Sequence, residues 1–209
     1  MPAGFYFLGH APLEEKMDTR QIIETLINDS IEAHRKMLSE EQLNYIQAIA
    51  NKIVEAYNKG KKLIVMGNGG SAADALHFAA EMVCRFEKNR NALPAIALSE
   101  NVSTITAIGN DFGYDQVFSR QIEAFAQKGD VIVAISTSGN SPNVIKALES
   151  AKKTGVFSIS FTGVDGGKIK AMSDMCYCAP SKVTGRVQEC HILAIHIISK
   201  LVEDKVFAR

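Results

Sequence analysis

The 209-residue sequence has no excess of either charge: 23 Lys and Arg balance 23 Asp and Glu, with no long run of one sign. It therefore offers no basic face on which nucleic-acid phosphates could be tracked. No apolar stretch approaches the roughly 20 residues that span a bilayer. The opening MPAGFYFLGHAPLEEKM also lacks the basic start and long apolar centre of a secretion signal. These absences predict a soluble cytoplasmic protein that engages neither nucleic acid nor membrane. Cys84, Cys176, Cys178 and Cys190 show no C-x-x-C pairing. That argues against a disulfide framework or a zinc knuckle and for reduced, mostly buried thiols. There is no internal repeat, low-complexity tract or linker rich in proline and serine. With 46% apolar and 22% charged residues, the expectation is a single domain over 18–209, with 1–17 as a flexible extension.

What is present is a change of hydrophobic period. Ile22, Ile23, Leu26 and Ile27, then Leu43, Ile46, Ile49, Ile53 and Val54, recur at helical spacing. The pattern predicts two helices between Asp18 and Lys59, divided near Leu38 and Ser39. Ser39 would cap the second helix with Gln42 as capping-box partner, and Gly60 would end it. Helices in this position often cover a sheet edge or pack on another subunit. Short β-branched runs then alternate with helical stretches: Leu63 to Met66, Ala95 to Leu98, Val131 to Ile135, Phe157 to Phe161 and Met175 to Cys178. The runs are largely continuous, as in strands buried on both faces. The predicted fold is thus α/β, a three-layer sandwich around a five-stranded parallel sheet preceded by N-terminal helices.

Ligands of such sheets sit beyond the carboxyl ends of the strands, and two segments there stand out. Gly67-Asn68-Gly69-Gly70-Ser71 opens a helix, and its glycines let the backbone approach an anion at the helix N-terminus. Ser136-Thr137-Ser138-Gly139-Asn140-Ser141-Pro142 gathers four hydroxyls, with Ser141 placed to cap the helix that Pro142 begins. Gly67, Gly69 and Ala72 also satisfy a relaxed dinucleotide fingerprint. Its acidic partner would be Glu100, which lies beyond the usual distance of about 20 residues. The second loop favours a sugar phosphate held by hydroxyls and amides instead, and the lack of G-K-[ST] after the glycines disfavours nucleotide hydrolysis.

His77 and Glu81 stand four residues apart on the helix after the first loop and share a face. An imidazole and a carboxylate so placed suit a metal or an acid-base pair, although the same spacing is common in solvated surface pairs. Gln188 and His196, eight apart near the C-terminus, project to similar sides of an otherwise apolar helix. Spacing does not reveal whether the two helices meet.

The run G-N-G-G-S-A-A-D-A-L-H-F-A-A-E, the segment A-I-G-N-D-F-G-Y, the loop I-S-T-S-G-N-S, the turn T-G-x-D-G-G and the ending R-V-Q-E-C-H-I-L-A-I-H occur in that order. Together they resemble the sugar isomerase (SIS) domain family, in particular its phosphoheptose isomerases, from about Ile22 to the last helix. The resemblance implies a flavodoxin-like SIS fold. It also implies an aldose-ketose isomerase that converts sedoheptulose 7-phosphate to D-glycero-D-manno-heptose 7-phosphate, at the start of heptose supply for lipopolysaccharide and related glycans. It further implies a homotetramer with active sites between subunits and one zinc per subunit, held by His77, Glu81, Gln188 and His196. Glu81 and His196 fall on the acid-base pair. Asn68, Gly69, Gly70, Ser71, Asn110, Asp111, Ser136, Thr137, Ser138, Ser141 and Gln188 fall on substrate positions. Some relatives carry an acidic residue where this chain has Gly185, so no carboxylate role carries over there. Two other readings use the same loops without the acid-base pair: a sugar-phosphate sensor, and the non-catalytic relative that binds the DnaA initiator. The latter lacks the acidic residue at Glu81 and the histidine at His196, both of which are retained here.

Overall fold

A computed structural model of the chain describes residues 18–208, so the extension expected at 1–17 lies outside the described residues. Two helices come first, α1 (Thr19–Lys36) and α2 (Glu40–Asn58). Ser39 caps α2 by accepting from the Gln42 amide, but the capping box expected there is incomplete. The Gln42 side chain instead donates 3.0 Å to the Cys178 carbonyl, because Gln42 is buried against the sheet edge and can satisfy an edge acceptor. A complete box forms at the start of α1, between Asp18 and Gln21.

The sheet follows as β1 (Leu63–Gly67), β2 (Ala95–Ala97), β3 (Val131–Ile135), β4 (Phe157–Thr162) and β5 (Met175–Cys178). All pairings are parallel, in the order β2-β1-β3-β4-β5. β2 ends one residue sooner than its apolar run suggests, yet Leu98 N still donates to Val65 O at 2.9 Å. β1 and β3 are buried at every position, as continuous apolar runs require.

Helices α3 (Gly70–Val83) and α7 (Thr184–Val206) share one sheet face with α2, around Ile49, Phe78, Met82, Ile195 and Ile198. Helix α6 (Pro142–Thr154), with α5 (Ser119–Phe125) and part of α4 (Val102–Phe112), covers the other, around Met66, Phe118, Ile122 and Leu148. Helix α2 therefore lies across the first of these faces, while α1 packs on α7 and leaves Ile22, Ile23, Leu26 and Ile27 between 46% and 55% exposed. No helix among the described residues is long and apolar enough to cross a membrane.

Candidate functional site

In a sheet of order 2-1-3-4-5 the crossovers leave β1 and β3 in opposite directions. The crevice between their carboxyl ends is where such folds bind ligands. The two loops singled out by residue type are the ones at that crevice: Asn68 to Ser71 joins β1 to α3, and Ser136 to Ser141 joins β3 to α6. They brace one another through a reciprocal amide pair, Asn68 Nδ2 donating 2.9 Å to Asn143 Oδ1 and Asn143 Nδ2 donating 2.8 Å to Asn68 Oδ1. Tyr114 adds a hydroxyl donor to Asn68 Oδ1 at 3.1 Å.

Ser141 occupies the N-cap position of α6 but makes no cap bond. Its hydroxyl lies 2.9 Å from Ser136 Oγ, and Asn143 Oδ1 takes the Val144 amide instead. The two hydroxyls are thus bonded to each other across the loop, with one O–H of the pair left to donate elsewhere. The loop is backed by the T-G-x-D-G-G turn. Gly139 has φ 64°, and a Cβ there would strike the Gly166 carbonyl, so the close approach of the two segments depends on glycine. Gly163 N donates 2.9 Å to Thr137 O, and Ser138 Oγ accepts from Asn140 N.

Gly69 enters α3 at φ 55° without a side-chain cap, and Gly70 begins the helix. A side chain at Gly70 would collide with the Gln188 amide, which lies directly over it. Helices α3 and α7 then run in step. His77, seven residues beyond Gly70, meets His196, eight residues beyond Gln188, with their Nε2 atoms 3.0 Å apart and ring centroids 5.0 Å apart. Glu81 Oε1 lies 3.0 Å from His77 Nε2, so three donors converge, with one ligand atom from each within 4.8 Å of the other two. Phe86 packs on the outer side of His196, at 5.9 Å between centroids.

Two buried charges hold this end of α3. Glu203 of α7 is fully buried and accepts from the amides of Phe86, Glu87 and Lys88 and from Arg90 Nε at 2.8 Å. Arg90 spends three further donors on the carbonyls of Glu81, Met82 and Asn91. Burial by itself would raise the Glu203 carboxyl, but the three amides and the guanidinium hold it down at about 2. Asp74, on the buried side of α3, is pushed up to about 6 by burial against the opposing pull of His77, and its Oδ2 has no partner among the described residues.

Not every expected residue reaches this group. Gln188 stays at Gly70, about two turns of α7 from His196. Asn110 and Asp111 sit exposed at the end of α4, where Asn110 Nδ2 donates to Asp111 Oδ1. Tyr114, Asn143, Arg90 and Glu203 were not singled out from residue type. Tyr114 does lie within the quoted A-I-G-N-D-F-G-Y run. Arg90 and Glu203 are 113 residues apart in sequence and carry no local signal of their pairing.

The SIS domain family matches residues 28–163. The phosphoheptose isomerase of Citrifermentans bemidjiense is 56% identical over 164 residues, covering 78% of this chain and 85% of that protein. That of Clostridium acetobutylicum is 48% identical over 189 residues, covering 90% and 96%. The solved phosphoheptose isomerase of Neisseria gonorrhoeae superposes with a TM-score of 0.84 at 40% identity, covering 90% of this chain and 100% of that one. With the predicted motifs assembled around the β1 and β3 crevice of the predicted sheet, the chain belongs to the SIS domain family and, within it, to the phosphoheptose isomerases.

Proposed function

We propose that the protein isomerises sedoheptulose 7-phosphate to D-glycero-D-manno-heptose 7-phosphate through an enediol, supplying the heptose of nucleotide-activated sugar precursors in the cytoplasm. The observation that carries this reading is the meeting of His77, Glu81 and His196 from two helices, beside loops suited to a phosphate. Moving a proton between C1 and C2 needs a base at carbon and an acid at oxygen. Glu81 takes and returns the carbon-bound proton, and His196 shuttles protons between the two oxygens. Ser136, Thr137, Ser138 and Ser141 hold the phosphate with the amides of Asn68, Gly69, Gly70 and Ser71. Asn110, Asp111 and Gln188 contact the sugar hydroxyls.

The donor set also fits zinc. Separations of 3.0 Å between His77 Nε2 and its two neighbours suit nitrogen and oxygen ligands each about 2.0–2.2 Å from one ion. Once bound by His77, Glu81 and His196, the ion would polarise the substrate oxygens at C1 and C2. A carboxylate has two oxygens, so one can face the ion while the other acts on the C–H bond. Gln188, as fourth ligand, would come from another subunit, because within this chain it stands two turns from His196. A homotetramer with sites between subunits is supported by that separation and by the apolar side of α1 left open at Ile22, Ile23, Leu26 and Ile27. The sensor and initiator-binding readings have no use for the His77, Glu81 and His196 cluster.

The test is turnover of sedoheptulose 7-phosphate by the purified protein as isolated, after chelation and after zinc is restored, with the product identified by NMR. Appearance of the aldoheptose 7-phosphate supports the assignment. No turnover under any of the three conditions sinks it.

A further inference from the structure

β5 forms one edge of the sheet, and Cys176 and Cys178 lie two residues apart on it, with Tyr177 between them. Successive strand side chains point to opposite faces. Tyr177 therefore turns into the core packed under α7, while both thiols face the other way, with their Sγ atoms 3.6 Å apart. Thr162 of β4 backs the pair, its Oγ1 lying 3.5 Å from Cys176 Sγ and 3.4 Å from Cys178 Sγ. Cys176 is buried and Cys178 partly exposed, and both line a cavity of about 580 Å³ together with Arg35, Lys36, Lys170 and Glu41.

We propose that Cys176 and Cys178 form a two-thiolate binding site for a soft monovalent cation of the copper(I) type, separate from the His77, Glu81 and His196 group. A two-coordinate ion favours its sulfurs opposite one another, about 4.6 Å apart when each is about 2.3 Å away, so from 3.6 Å the two thiols must swing about 1 Å apart, a change that side-chain rotation supplies without moving the strand. A disulfide suits the strand less well: same-face neighbours have Cα atoms roughly 6.6 Å apart, at the far limit of disulfide geometry. Soft thiolate ligands select copper(I). Among the described residues, His77, Glu81 and His196 form the one cluster of three or more donors, so the cysteine pair offers two ligands, as a low-coordinate ion requires. Uptake releases both thiol protons to solvent, moves no electron and leaves the ion with its two sulfurs at a net charge of −1. Three cationic side chains against one carboxylate in the cavity wall favour that charge. Cys178 is the partly exposed thiol of the pair and Cys176 the buried one, so an ion arriving from solvent meets Cys178 first.

The test is independent of the isomerase reading. Reduced full-length protein competes anaerobically for copper(I) with a chromophoric chelator. The expected result is that the chain withdraws one equivalent, that Cys176→Ser and Cys178→Ser each withdraw none, and that Cys84→Ser and His196→Gln still withdraw one. Failure of the unmodified protein to withdraw copper, survival of the equivalent in Cys178→Ser, or its loss in His196→Gln would each overturn the proposal. Should the buried Cys176→Ser variant fail to fold, alkylation of the unmodified chain decides. Copper(I) should protect Cys178 from iodoacetamide, as read by peptide mass, and equal labelling with and without copper would refute the site.

Discussion

The two ends of the α3 and α7 pair are built from different contacts. At the β1 end, Gln188 lies over Gly70, and Asn68 exchanges amide bonds with Asn143: the groups are neutral and stand at the rim of a crevice. At the other end, the chain beyond Glu81 is held by Glu203 and Arg90, both essentially without solvent exposure and with their hydrogen bonds made to each other and to backbone groups. A phosphate can be met by loops that adjust, because several hydroxyls and amides can share one anion. Proton transfer needs its base held within a fraction of an ångström of one atom, and a fully hydrogen-bonded buried ion pair provides that rigidity.

Breaking the chemical end should have the largest effect. Glu81→Gln is expected to lower turnover by about 10²-fold or more while calorimetry still detects binding of sedoheptulose 7-phosphate. Turnover at the unmodified level would remove Glu81 from the mechanism. Arg90→Ala strands the Glu203 carboxylate in the interior and should cost roughly 3–5 kcal/mol in urea unfolding. In Glu203→Gln, kcat should fall more than KM changes, because the end of α3 that carries Glu81 loosens. A change confined to KM would show that this network does not position the base.

Acid should also weaken the chain in two steps. His191 is buried against Phe161 and Tyr177, and burial lowers it from 6.5 to about 4, against the pull of its contact with the Thr162 carbonyl. The unfolded chain therefore binds the proton first, and stability present above pH 6.5 falls as the pH drops toward 4. Glu203 behaves as a depressed carboxylate: its contribution is full above pH 4.5 and is lost as the pH falls toward 2. Thermal midpoints recorded across both windows check the two steps. A flat profile between pH 6.5 and 4 contradicts the first.

The rim should respond more mildly. Asn143→Ala leaves Asn68 without its reciprocal partner, at a cost of roughly 1–3 kcal/mol, and should raise KM with kcat nearly kept. Gly70→Ala displaces a flexible side chain end and no backbone, so KM should rise with little change in melting temperature. A large loss of stability in Gly70→Ala would mean that the two ends are less different than their contacts indicate.

What the amino-acid sequence determines by itself is whatever rests on local periodicity and local chemistry. Continuous runs such as Val131 to Ile135 mark buried parallel strands, and all five strands occur where such runs lie. The glycine-rich and hydroxyl-rich loops are legible because turns that approach an anion need those residue types. The exceptions are local signals overridden by a competing partner: Gln42 turns from its capping box to the distant Cys178 O, and Ser141 turns from its cap to Ser136 within the same loop. The meeting of His77 with His196 and of Arg90 with Glu203 was decided by tertiary structure alone. Each depends on how helices and strands far apart in sequence pack against a common core, and pairwise packing across more than a hundred residues leaves no periodic trace in either segment.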